Sequence, residues 1–109
     1  LAAEKVGEDS KHVRERVEAA RSRQRARFKN DKIQTNSEMN LPQMKKYCQL
    51  DPAGQEILKT AVQNLKLSAR SYHRILKLAR TIADINGSPD IQSNDLAEAL
   101  MYRPKEDSF

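Results

Sequence analysis

The sequence predicts an all-α domain of about five helices, and three observations carry that expectation. Capping and breaking residues cut the chain into short segments whose apolar positions recur at helical spacing. Three Gly and four Pro are too few for the many turns of an all-β domain. A chain of 109 residues with 38% hydrophobic and 32% charged residues suits one small domain with a modest core.

Residues 1–9 (LAAEKVGED) show no usable period and read as a frayed lead-in. The first helix is expected over 10–28, where Val13, Val17, Ala20, Gln24 and Phe28 fall close to one line. Arg14, Arg21 and Arg25 flank that line on one side, and Arg16, Arg23 and Arg27 on the other. A seam this narrow docks on a neighbour and does not form the centre of a core, so this helix should pack less tightly than the rest. The polar stretch KNDKIQTNSEMN then breaks the period. Asn40 is placed to cap a short helix containing Leu41, Met44, Tyr47 and Cys48.

Asp51-Pro52 is a strong start signal, an N-cap followed by Pro at the first helical position. Its helix should run to about Lys66, with Ile57, Leu58, Ala61 and Leu65 inward. Ser68 caps the next helix, with Leu67 and Tyr72 spaced for a hydrophobic staple and Asn86-Gly87 as the stop. Ser93 is expected to cap a last helix, NDLAEALMYR, stopped by Pro104, with 104–109 a disordered tail. The domain itself is therefore set at 10–103.

The charge is unevenly spread. Residues 11–32 hold nine Lys or Arg against three acidic residues, a net +6, so this one segment carries all of the chain's excess of +5. No apolar run approaches ~18 residues, so no membrane span is encoded. A single Cys48 rules out an intrachain disulfide and fits a reducing, cytoplasmic setting. The chain begins at Leu1 without a signal-peptide pattern and reads as a piece of a longer protein. His12, His73 and Cys48 share no ligand spacing, so no metal site is expected.

One residue sits awkwardly. With Ser68 as N-cap, Arg70 lies in the first turn, facing the positive end of the helix dipole at a cost of roughly 0.3–1 kcal/mol. On a helical wheel Tyr72, Ile75, Leu76, Ala79, Ile82 and Ala83 share one side, while Arg70, Arg74, Lys77 and Thr81 share the other. A solvated polar face explains that row adequately. A nearby phosphate would explain Arg70 better, because helix N-termini and arginines both favour anions.

The string LSARSYHRILKLARTIADI, followed by IQSNDLAEALMYR and preceded by VRERVEAARSRQRARF, IQTNSEMN and KKYCQLD, resembles the C-terminal domain of magnesium-chelatase-subunit-like AAA+ ATPases. Within that family it looks most similar to the competence-protein branch (ComM/YifB). The resemblance covers roughly residues 8–103 and implies a helical lid following a nucleotide-binding core. It implies that Arg70, in the Ser68-Ala69-Arg70 motif, is the sensor-2 arginine that reaches ATP phosphates, with Ser68 and Arg74 in support. It further implies ATP and Mg as cofactors of the longer protein, an upstream AAA+ core in the same chain, and neighbouring subunits of a hexameric ring. No P-loop is present in the 109 residues, so catalysis by this segment alone is not expected.

DNA-processing motors and chelatase subunits that drive metal insertion share this lid, and the basic first helix leans toward the former. Arg14, Arg21 and Arg25 are candidate contacts for DNA phosphates or a neighbouring subunit, with a plain solubilising face as the alternative. A free-standing helix-turn-helix binder is the competing class, with Ser68, Arg70, Ser71 and Arg74 facing a major groove.

Overall fold

The computed structural model describes the backbone of residues 2–102 and the side chains of residues 10–102. Among the described residues the chain forms α1 (Ala2–Arg27), a 3-10 turn at Asn36–Glu38, α2 (Leu41–Tyr47), α3 (Pro52–Leu65), α4 (Ala69–Ile85) and α5 (Ser93–Met101), with no strand. The all-α expectation and the number of helices hold.

α4 is the central element. It packs against α5, α1, α2 and the 3-10 turn, and α3 leans on α5. Ile75, Leu76, Ala79, Ile82 and Ala83 are buried along one stripe, joined by Leu58 from α3 and Leu96 and Ala99 from α5. Ala79, Ala83 and Ala99 are completely buried, and such small side chains let helices approach closely. Gly54 has the same effect at the start of α3, where an added Cβ would sit 3.2 Å from Leu96 Cδ1. Tyr72, Ile57 and Leu100 are partly buried against this core.

The caps follow from local chemistry. Asn40 accepts from the Gln43 amide at 2.9 Å, Asp51 from Gly54 at 2.7 Å, and Ser68 from Ser71 at 3.1 Å. α4 ends in a Schellman motif: Gly87 adopts a left-handed φ of 74°, its N–H reaches the Asp84 carbonyl, and Ser88 N–H reaches that of Ala83.

Several expectations need correction. Helix α1 is assigned from Ala2, ahead of Ser10, because Ala2, Ala3, Glu4 and Lys5 are good helix formers and Ser10 does not stop propagation. Gln92, not Ser93, is the N-cap of α5; Asp95 accepts from the Gln92 amide at 2.8 Å, which puts Ser93 at the first helical position. Leu65, expected inward, is exposed at the end of α3. The stop at Pro104 and the tail 104–109 lie outside the described residues.

Helix α1 divides in two. Val13 is 51% exposed, but Ala20, Gln24 and Phe28 are buried. Gln24 does not interrupt the seam as its polarity suggested; its Oε1 accepts from the Asn36 amide at 2.9 Å and ties α1 to the 3-10 turn. Among the described side chains of α1, only those of residues 10–16 are all exposed, in line with the expected loose packing.

Candidate functional site

Two polar features compete for attention, one at each end of α4. At the start, Ser68 and Arg70 are exposed, and the Arg70 side chain has no hydrogen bond or ion pair among the described residues. The Ser68 hydroxyl is already used by the Ser71 amide. The first helical amides, Ala69 and Arg70, have no acceptor within the helix and face the same way as a bound anion would require.

The expected row of Arg70, Arg74, Lys77 and Thr81 is not uniform. Arg70 and Arg74 are exposed. Lys77 Nζ donates to the Ser37 carbonyl at 3.1 Å, and Thr81 Oγ1 accepts from Asn36 Nδ2 at 3.0 Å. The 3-10 turn therefore covers the second half of the row, while Arg70 at its start is exposed. A cavity of about 310 Å³, lined by Ser37, Arg74, Lys77, Leu78 and Thr81, marks the border.

At the far end of α4 lies a network the sequence analysis did not anticipate. Asp84 is completely buried and receives both guanidinium nitrogens of Arg27, at 2.6 and 2.9 Å. Arg80 Nη2 lies 3.1 Å from the same carboxylate, and Asn36 Nδ2 donates to it at 2.9 Å. Arg80 also donates to the backbone carbonyls of Tyr47, Ser88 and Pro89, so it laces α2 and the post-α4 loop to α4. Burial pushes the Asp84 carboxyl upward, but the hydrogen bonds and charges of Arg27, Asn36 and Arg80 outweigh it and hold it below its ordinary value. Nearby, burial pushes the Cys48 thiol up to about 11.

The network also sorts the arginines of α1. Arg16 donates to Asn86 Oδ1 at 2.9 Å, Arg23 to the Asp84 carbonyl at 2.6 Å, and Arg27 to Asp84 and Asn36. These three are structural. Arg14, Arg21 and Arg25 face solvent; Arg21 meets Glu18 at 3.5 Å and Arg25 donates to Ser22 Oγ at 3.0 Å, both within α1. A signal for the network existed in the sequence: Arg80 and Asp84 stand four apart in the last turns of α4, the spacing of a helical ion pair.

Ser71 is buried. The quartet required by a helix-turn-helix reading, Ser68, Arg70, Ser71 and Arg74, is thus not one exposed face. Among the described residues no three His, Cys, Asp or Glu gather as a metal site, and no helix is long and apolar enough to cross a membrane.

Residues 7–103 match the family model described as magnesium chelatase, subunit ChlI C-terminal. The chain belongs to that family. Among curated proteins, the chain is 43% identical over 97 residues to the competence protein ComM of Haemophilus influenzae and 40% identical to YifB of Escherichia coli, covering 89% of this chain in each case. A mycobacterial relative, Mb2921c of Mycobacterium bovis, is 31% identical over the same length. The chain spans 18% of the length of ComM and of YifB. No solved structure matches it.

Proposed function

We propose that this magnesium-chelatase-type domain serves as the lid of a AAA+ ATPase and presents Arg70 to the phosphates of ATP bound by a nucleotide-binding core in the same longer chain. One observation carries the reading. Arg70 is exposed in the first turn of α4, on the side away from the core, with no partner among the described residues, where a cation is unfavourable unless an anion joins it. Its planar, permanently charged fork suits that task, and Arg74 one turn on adds a second positive charge. Bound ATP with Mg would supply the transferable phosphoryl group. The part of this chain is to stabilise charge on it, which a preorganised arginine does without reorganisation.

The fit of the residues supports this assignment. The α4 start is rigid, because Ser68 caps it, Leu67 and Tyr72 pack on the core, and the Arg80–Asp84–Arg27 network fixes the opposite end. An arginine on a rigid helix can be aimed; one on a loose loop cannot. The lid also carries subunit contacts of a ring assembly in this reading. The relative in Haemophilus influenzae is named a competence protein, and a DNA-processing motor is the preferred setting over a metal-insertion subunit. The specific observation favouring it is the outward set of Arg14, Arg21 and Arg25, which is not consumed by contacts with the rest of the domain. Such a ridge suits phosphates of DNA or an acidic subunit surface, and the slope of binding against salt separates them.

The test is ATP hydrolysis by the longer protein carrying Arg70→Ala or Arg70→Lys. Loss with Ala and poor rescue by Lys is the expected result, since the fork and not the charge alone is used. Full activity in both variants would refute the assignment.

A further inference from the structure

The network at the end of α4 carries more positive charge than it can balance. Arg27 and Arg80 share one buried carboxylate, that of Asp84. Arg80 is 4% exposed and its Nε has no hydrogen-bond partner. Beside it lies a cavity of about 180 Å³ lined by Arg27, Lys46, Tyr47, Gln49, Arg80 and Pro89, with Asp90 also at its wall. Lys46 adds a third cation; its ammonium lies 5.1 Å from the Tyr47 ring centroid. Three cations therefore line a small cavity against one lining carboxylate, with Asp84 behind them.

We propose that this cavity is a binding site for a small oxyanion of the phosphate type. Its volume lies below the roughly 300–1,000 Å³ of sites that enclose drug-sized ligands, so it suits an ion and not a nucleotide. Arg27 uses three N–H bonds on Asp84 and Asn36 and keeps two of its five donors. Those donors, with Lys46 and the Gln49 amide, supply charge-assisted contacts to tetrahedral oxygens. The site is separate from Arg70: Arg80 stands ten residues further along α4, about 15 Å at 1.5 Å per residue. An anion bound here would balance the excess charge and tighten the clamp between α1, α2 and the post-α4 loop.

The two sites separate cleanly in experiment. Thermal unfolding of this chain is followed in millimolar inorganic phosphate against sodium chloride of equal ionic strength, and phosphate affinity is taken from the concentration dependence. Phosphate should raise the melting temperature of the wild type and of Arg70→Ala alike. Lys46→Ala, at an exposed position, should keep the fold and weaken phosphate about tenfold; Asp90→Asn, also exposed, should tighten it. A second series with ADP asks whether a nucleotide phosphate is the source. A shift from ADP that Arg70→Ala abolishes, with none from inorganic phosphate, would overturn this proposal while supporting the Arg70 reading. No phosphate-specific shift, or an equal shift in Lys46→Ala, would also overturn it.

Discussion

Replacing Asp84 by alanine should damage the domain more than any other single polar change. The carboxylate is fully buried and meets Arg27 at 2.6 Å, Arg80 at 3.1 Å and Asn36 at 2.9 Å. Its removal leaves two guanidinium charges in the interior with nothing to balance them. Breaking a buried pair from one side costs about 3–5 kcal/mol, because the abandoned charge stays desolvated. That is a large part of the ~5–15 kcal/mol that holds a domain together. At roughly 4–8 °C per kcal/mol for a domain of this size, the melting temperature should fall by roughly 12–40 °C. Arg27→Met offers an internal comparison. It leaves Asp84 and Arg80 as a one-to-one pair at 3.1 Å, so its cost should be clearly smaller. Urea unfolding followed by circular dichroism gives both values. If Asp84→Ala lay within ~1 kcal/mol of the wild type, or if Arg27→Met were the worse of the two, the idea of an over-charged network organised by one carboxylate would be wrong.

The remaining expectations concern pH, thiol chemistry and local opening. The folded-state pKa of Asp84 is depressed, so its stabilisation is complete above the unfolded carboxylate value near ~3.9 and is lost as pH falls through the lower folded value. Acid unfolding should therefore be shallower in Asp84→Asn than in the wild type over that range. Cys48 is buried with its thiol pushed up to about 11, and alkylation at neutral pH should be slow in native protein and fast in denaturant. Amide exchange should be fast over the exposed Ser10–Arg16 part of α1 and slow in α4, with residues from Ala20 to Arg27 protected by docking on the network. Uniform protection along α1 would contradict the division of that helix.

What the sequence made legible, and what it hid, follows from the physics of each signal. Caps are local: Asn40, Asp51 and Ser68 each act on an amide three residues away, so short spacing alone identifies them. The apolar stripe of α4 is equally visible, because a helix repeats its faces every 3.6 residues. Arg70 could be placed opposite that stripe for the same reason. The Asp84 network joins residues up to 61 positions apart, and no periodicity reports such a pairing. Polar residues such as Gln24 and Asn36 read as breaks in an apolar line until their partners are known; Asn36 is 1% exposed inside a stretch that looks like a loop. Leu65 failed in the opposite sense. A stripe states which face is apolar, but the end of a helix can outrun the neighbour that would cover it.

The most direct test compares Arg70→Ala with Arg74→Ala in a longer chain that includes the proposed nucleotide-binding core, assayed for ATP hydrolysis. Both residues lie on exposed turns of α4, Arg74 at the wall of the cavity beside Ser37. Single-turnover hydrolysis and nucleotide affinity are measured separately, so that loss of phosphoryl transfer is distinguished from loss of binding. Arg70→Ala should slow hydrolysis by orders of magnitude with the melting temperature unchanged or slightly raised, since a cation opposed to the helix dipole has been removed. Arg74→Ala should fall far less. Hydrolysis at the wild-type rate in Arg70→Ala would contradict a role for Arg70 at the ATP phosphates, and an equal loss in both variants would make the row a subunit contact instead.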